Sequence, residues 1–366
     1  MTPINIRQTL HQHPGISGDE HYAHDLIVKE ITTCHPDELH THVGGFGVVA
    51  IWGTNFSNPS IAIRCDIDAL PIGHRCGHDG HTAILLQVAK ELAQHEPYHK
   101  RNIILIFQPE EETGAGAQKI IDSGILQPYN IQTIFGFHNL PGFPLGTAVL
   151  NYHTFAAAST GIIYRLEGRS THASTPEKGI NPGLAVAEII KEFDRLNSSP
   201  DKIGDDFRQC TLICVHLGDE TFGTSAGAAE VMYTLRAFSN TTMHQLIAET
   251  NNIVALAAAR RGLKVSSTLR DTFRATQNTS FLVEKLEEAF EQGGIPYRHN
   301  LIPFRWSEDF SNYLTVFPGA MFGIGSGESQ PELHHPDYVF PDSLITPAAN
   351  TVMAVIDHFC KNISTD

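Results

Sequence analysis

Long apolar runs are missing from this chain. Nowhere in its 366 residues is there a stretch fit to span a bilayer, and the opening segment MTPINIRQTLHQHPG has no apolar core of the kind a signal peptide needs. A membrane partner is therefore not expected, and the reading is a soluble protein of the cytoplasm. Basic residues are scarce as well. Lys and Arg total 25 against 40 Asp and Glu, a formal charge of −15, and no cluster of them offers a patch to phosphate backbones or anionic lipid. Nucleic acid is thereby a poor candidate. Cysteine is sparse: six residues, at 34, 65, 76, 210, 214 and 360, fall short of the density of a disulfide scaffold. Internal repeats, low-complexity segments and long linkers are lacking too. What the chain has in excess is histidine, 21 residues, several beside cysteine, glycine or acid, and that points toward metal.

A chain of this length exceeds what one hydrophobic core usually serves, so two domains are expected. Strand-like and helical patterns alternate in the first part. GVVAIWG from Gly47 and SIAIRCDID from Ser60 read as strands, and apolar residues at Ile84, Leu85, Val88, Ala89 and Leu92 predict a helix from Thr82. NIILIFQ from Asn102 is continuously apolar, the mark of a strand buried on both faces, so an α/β domain with helices on both sides of its sheet follows. A short helix over 115–124, closed by Gly124, and a strand TIFGFHN ending at His138 come next. Between about Thr160 and Asp271 the order becomes strand, helix, strand, strand, helix, strand, which is that of a ferredoxin-like unit. The chain then returns to the first domain through a helix near Leu282–Gln292, a loop with WSEDF, the strand GAMFGIG and a final helix near Ala348–Cys360. The predicted division is 1–159 with 272–366, interrupted by 160–271.

The densest chemistry is HRCGHDGHT, residues 74–82, in a strand-to-helix loop where α/β proteins place ligands. Cys76 and His78 offer a thiolate and an imidazole, both suited to zinc or a neighbouring transition metal, and Asp79 and His81 are placed to orient them. A buried cysteine beside surface histidines is the bland alternative. QPEEETGAGA follows the apolar strand, and its consecutive acids Glu110, Glu111 and Glu112 repel one another unless a cation is near, although taken alone a solvated loop is the better explanation. His138 stands at a strand end, and His334 and His335 lie in a loop fixed by Pro336. Each piece is modest alone; at the ends of successive strands they would converge on one sheet edge.

These residues resemble the M20 metallopeptidases, and within them the aminoacylase, hippurate hydrolase and auxin-conjugate hydrolase branch. The likeness runs through RQTLHQHPGISGDE, RCDIDALPI, CGHDGHTA, QPEEETGAGA, FHNLPG, THAS, SEDF and LHHPDY, in the order that family uses. The resemblance implies a two-metal centre on Cys76, His78, Glu112, His138 and His334, loaded with zinc or manganese, or else cobalt or nickel. It implies Glu111 as acid/base, with Asp66 and Asp68 supporting the site; Leu333 sets the register that favours His334 over His335. His172 in STHAS resembles a lid histidine that reaches a partner subunit's active site, and Arg236 a lid residue that binds substrate. The fold so implied is α/β, a central mostly parallel sheet of the zinc-dependent exopeptidase type with an inserted ferredoxin-like α+β lid that dimerises. The substrate so implied is an N-acyl amino acid, including N-acetylated intermediates such as acetyl-diaminopimelate, with a dipeptide as runner-up.

Two departures stand out. Only Gly73 separates RCDIDALPI from HRCGHDGH, where the family usually carries a longer loop, and Gly223 stands near the place of a lid Asn. A non-catalytic metal-binding scaffold and a thiol hydrolase built on Cys76 with His78 or His81 are the competing functions. One local expectation concerns the glutamates: on an extended strand end, Glu111 and Glu112 would point in opposite directions, one to metal and one away.

Overall fold

Two helices that periodicity alone did not predict open the chain. In α1 (Pro3–Gln12) the Thr2 hydroxyl accepts the Asn5 N–H and Pro3 takes the first position, where its missing N–H costs nothing; α2 (His21–Thr32) follows. The structure is a computed structural model, and it describes residues 1–53, 55–94 and 100–361. It divides into one unit of Met1–Phe155, Thr276–Leu301 and Asp309–Asp366 and another of Ala156–Ala275 with Ile302–Glu308.

In the first unit, β1 (Glu38–Val43), β2 (Gly47–Trp52), β3 (Pro59–Asp66), α3 (His78–Leu92), β4 (Asn102–Gln108), α4 (Gly116–Asp122), β5 (Asn130–Pro141) and β6 (Ala148–Leu150) succeed one another. All seven residues of β4 are buried, as the apolar run requires. Helix α3 begins four residues before the expected Thr82, because Gly77 caps it in the left-handed conformation and brings His78 into its first turn.

The second unit holds β7 (Ala158–Glu167), α5 (Gly183–Asp194), β8 (Arg208–Leu217), β9 (Ala228–Ala237), α6 (Asn240–Ala259) and β10 (Lys264–Phe273). Its four strands run in the order β8-β9-β7-β10, antiparallel throughout, the ferredoxin-like arrangement expected. Burial alternates residue by residue along β9, with Val231, Tyr233 and Leu235 facing a core shared with Val186, Ile189 and Phe193 of α5 and Leu246 and Val254 of α6.

The chain completes the first unit with α7 (Ser280–Gly293), β11 (Tyr297–His299), β12 (Gly319–Gly327) and α8 (Ile345–Lys361). The eight-stranded sheet has the order β1-β2-β4-β3-β5-β12-β6-β11. Its centre, β4-β3-β5-β12, is parallel, so four strands end on the same edge. Alternate residues of the strands (Ile61, Ile63, Leu105, Phe107, Phe135, Phe137, Phe322) pack with α1, α2, α3, α7 and α8 in one core. That packing fixes the strands whose carboxyl ends carry the acids and histidines.

Candidate metal centre

Register places the site's base. Asp66, last residue of β3, stands opposite Gln108, last of β4, and His138 lies near the end of neighbouring β5. Around them the side chains form overlapping groups whose ligand atoms lie within 4.8 Å of one another: Asp66, His78, His81 and His138; His78, Glu111 and Glu112; and Cys76, Glu112 and His334. His78 joins the first two groups and Glu112 the last two.

The distances follow the same chain. Cys76 Sγ is 3.0 Å from His334 Nε2, which is 3.8 Å from Glu112 Oε2. His78 Nε2 lies 3.9 Å from Glu112 Oε1, 4.0 Å from Glu111 Oε2 and 3.8 Å from Asp66 Oδ1. Both glutamates thus face one imidazole. The expectation that they diverge was wrong, because the chain leaves β4 through a turn instead of an extended strand. Glu110 adopts φ +54°, and the following residues fold back as Gly114 N–H donates to the Glu111 carbonyl.

The backbone is specialised at two further points. Gly77 has φ +98°, and a Cβ there would come within 2.7 Å of Asn139 Oδ1, so no other residue fits between Cys76 and His78. His334 itself has φ +66°, held by its N–H donating to the Arg75 carbonyl at 2.9 Å, while Arg75 Nη1 donates to the Tyr338 carbonyl at 2.7 Å. A histidine in this region carries strain of about 1–3 kcal/mol, and strained non-glycine residues gather where function demands a particular aim.

Behind the cluster, polar partners orient each ring. His78 Nδ1 contacts the Asp68 carbonyl at 3.0 Å, leaving Nε2 toward the glutamates. His81 lies between Asp66 Oδ1 and Asn139 Oδ1, each at 2.5 Å, and Asn139 also donates to the Tyr338 hydroxyl. His138 Nδ1 contacts the Asn139 carbonyl at 2.8 Å. Asp66 Oδ2 accepts from Arg64, which also bonds Gln108 and Asp309. Sequence reading did not single out Arg64, Gln108, Asn139 or Tyr338. For Arg64 a signal existed: one cation inside an otherwise apolar strand needs buried anions.

Whether these residues suit a cation can be judged from what is left unpaired. His78 Nε2, Glu112 Oε1 and Asp68 Oδ1 are buried and find no hydrogen-bond partner among the described residues, a costly state unless something else satisfies them. Protonation says the same. Burial and then Asp68 push Glu112 up to about 7 against the pull of His78, while His78, although burial disfavours its charge, is held up to about 10 by Asp66, Asp68 and Glu112. Burial, Glu112 and Glu111 drive the Cys76 thiol well above its ordinary value. A carboxyl crowded enough to be pushed up to about 7, with a thiol and imidazoles beside it, fits a divalent ion, which would replace the proton.

The two remaining predicted residues belong to the second unit. His172 lies in the short strand Thr171–His172, exposed, its Nδ1 2.7 Å from Ser174 Oγ. Arg236, on β9, donates from Nη1 to the Arg305 carbonyl at 2.6 Å and to Ser307 Oγ at 3.1 Å.

The chain is similar to known proteins. An N-acetyl-L-cysteine deacetylase of Bacillus subtilis is 29% identical over 374 residues, spanning 94% of this chain and 85% of the relative. The IAA-amino acid hydrolase ILR1-like 4 of Arabidopsis thaliana is 28% identical over 342 residues, 88% of this chain and 76% of its own. The crystal structure of the Bacillus subtilis YXEP protein, described as a dinuclear metal binding peptidase from the M20 family, superposes with a TM-score of 0.84 at 25% identity over 99% of this chain and 98% of that one. Residues 62–358, which contain every member of the three clustered groups, match the sequence model of Peptidase family M20/M25/M40, and the chain belongs to that family of metal-dependent amidohydrolases and peptidases.

Proposed function

We propose that this protein hydrolyses the amide bond of an N-acyl amino acid, with Cys76, His78, Glu112, His138 and His334 holding two divalent ions and Glu111 as general base. One observation carries the reading: Glu111 reaches to 4.0 Å of the imidazole that Glu112 approaches at 3.9 Å, yet Glu112 alone belongs to the group with Cys76 and His334. Zinc or manganese suits the mixture of thiolate, imidazole and carboxylate, with cobalt or nickel as substitutes. When bound, such ions acidify a water and polarise an amide carbonyl.

The chain's own share is orientation and proton handling. Glu111 takes the proton of the attacking water and returns it to the leaving nitrogen, a task for a carboxylate close to the centre but outside the proposed ligand set. Asp68 holds Nδ1 of His78, and Asp66 fixes His81, so both rings keep their direction. From the second unit, which serves as lid and dimerisation surface, His172 is assigned to the developing oxyanion and Arg236 to substrate. The relatives named for N-acetyl-L-cysteine deacetylation and IAA-amino acid hydrolysis support the substrate class. A cysteine nucleophile is disfavoured, because the surroundings of Cys76 raise its thiol instead of ionising it.

The test is a panel of N-acetyl and N-benzoyl amino acids and dipeptides, assayed after chelation and after reconstitution with zinc, manganese or cobalt. N-acyl amino acids should be cleaved only by reconstituted protein. A preference for dipeptides would move the reading to a dipeptidase, and metal uptake without turnover of any substrate would leave a scaffold.

A further inference from the structure

The loop from Gly15 to Glu20, between α1 and α2, supplies no residue to the clustered groups, yet it grips two of the strand ends that do. The Ala69 N–H donates to the Gly15 carbonyl at 2.8 Å, and Ser17 Oγ donates to Asp68 Oδ2 at 2.7 Å, both just beyond β3. Just beyond β4, Glu20 Oε1 accepts the Glu110 N–H at 2.9 Å as well as that of Gly18 at 2.9 Å. Asp68 Oδ2 in turn accepts the Glu112 N–H at 3.0 Å. The N–H groups of the two residues that flank Glu111, Glu110 and Glu112, are therefore both held by carboxylates, one carried by this loop and one anchored to it.

Glu20 is an odd choice for an ordinary surface turn. It is fully buried, its Oε2 finds no hydrogen-bond partner among the described residues, and burial, with Asp68 adding, pushes its carboxyl up to about 7. An acid kept in such surroundings costs stability and needs a compensating use. What it holds is the residue whose left-handed φ of +54° turns the chain out of β4. The other groups of Glu110 are tied as well: its carboxylate to Lys119 Nζ at 2.5 Å, its carbonyl to Gly116 N–H at 3.2 Å and Thr113 Oγ1 at 3.2 Å. The dihedral angles at Glu110 set where the next two carboxylates point.

We infer that Glu20 is a positioning residue which, together with the Ser17–Asp68 contact, clamps Glu110 in its left-handed conformation so that Glu111 and Glu112 converge on His78. The catalytic consequence rests on the roles given above to Glu111 and Glu112; the clamp itself does not.

The experiment compares the full-length wild type, Glu20→Ala and Glu20→Gln by amide hydrogen exchange at Glu110 and Glu112, and by kcat, KM and zinc affinity after reconstitution. Gln keeps a carbonyl oxygen able to accept both N–H groups. Glu20→Ala should speed exchange at these amides by about tenfold or more while leaving α6 unchanged, and should lower kcat by about tenfold or more at little cost in KM. Glu20→Gln should return both to within about threefold of the wild type. Unchanged exchange at Glu110 and Glu112 in a folded Glu20→Ala overturns the clamp, as does a Gln variant no better than the Ala variant. Faster exchange with unchanged kcat overturns its catalytic consequence. If Glu20→Ala does not fold, Ser17→Ala replaces it, with faster exchange at Glu112 expected and unchanged exchange counting against. A wild type that binds no zinc would refute the metal reading while the exchange result stands.

Discussion

The chain contains two Cys-x-His pairs, and they share little beyond spacing. Cys76 and His78 flank a left-handed glycine at a parallel strand-to-helix loop, are buried, and meet Glu111, Glu112, His138 and His334. Cys214 and His216 lie on β8 of the second unit, partly to fully exposed, with Cys214 Sγ 3.2 Å from His216 Nε2. There the facing residue across the ladder is Glu230, and its carboxylate is already paired with Arg165 at 2.8 Å. His216 of the second pair even borders a cavity of about 390 Å³, lined also by Glu230 and Arg165. Space and two such side chains do not by themselves assemble a candidate ligand group: among the described residues, Cys214 and His216 belong to none. What separates the pairs is that strands ending on one edge crowd several acids around the first, whereas the acid facing the second is already paired with Arg165.

That contrast can be broken in several ways. The largest effect is expected at Glu111→Gln, which should keep its metal and lose turnover by about a hundred- to ten-thousandfold; full activity with metal unchanged would remove the assigned base. Cys76→Ala should lower metal content by elemental analysis and turnover by about a hundredfold, whereas Cys214→Ala should alter neither. Equal losses at both cysteines would erase the distinction drawn here. Arg64→Met strips the buried partner from Asp66 and Asp309, and chemical denaturation should report a loss of about 3–5 kcal/mol. Arg165→Gln sharpens the comparison from the other side: with Glu230 released, the second pair should bind cobalt several-fold more tightly, seen by its thiolate absorption. An unchanged titration would mean that charge is not what the second pair lacks.

The smallest effect concerns pH. Glu20 is raised to about 7 from its ordinary value of 4.5, so the folded state favours the protonated form. The stabilisation this gives is complete below the unfolded value and is lost as pH rises through the folded one. Glu20→Gln cannot ionise. Its melting temperature relative to the wild type should therefore climb by a few degrees between about pH 5 and about pH 8, and a constant difference would contradict the assigned shift.

Much of this was legible beforehand because the strongest signals are local. NIILIFQ, the alternation along β9 and the order of elements in the second unit follow from periodicity, and the structure follows them closely. The clustering of Cys76, His78, Glu112, His138 and His334 was legible through motifs. Less legible was anything decided by backbone dihedrals or by partners far along the chain. The divergence expected of Glu111 and Glu112 failed because one residue, Glu110, takes a positive φ that no glycine announced. Helix α3 began early because HDGH reads as loop until Gly77 is seen to cap it. Helix α1 buries only Ile6 and Leu10 among its apolar residues and depends on packing with α3, whereas α2 carries a stripe, Ala23, Leu26, Ile27 and Ile31, that was legible but not singled out. Glu20 and Arg64 gain their meaning only from contacts 90 and 245 residues away.

The contact between Cys76 and His334 spans 258 positions of sequence, with the whole β7–β10 insertion in between. During synthesis, the thiol waits on the ribosome's schedule: its companion imidazole emerges only after the whole insertion has been made. On the ligand set proposed above, a product stalled before His334 lacks part of the ion seat, and tight retention of the ion reports that translation passed this loop and that the loop docked.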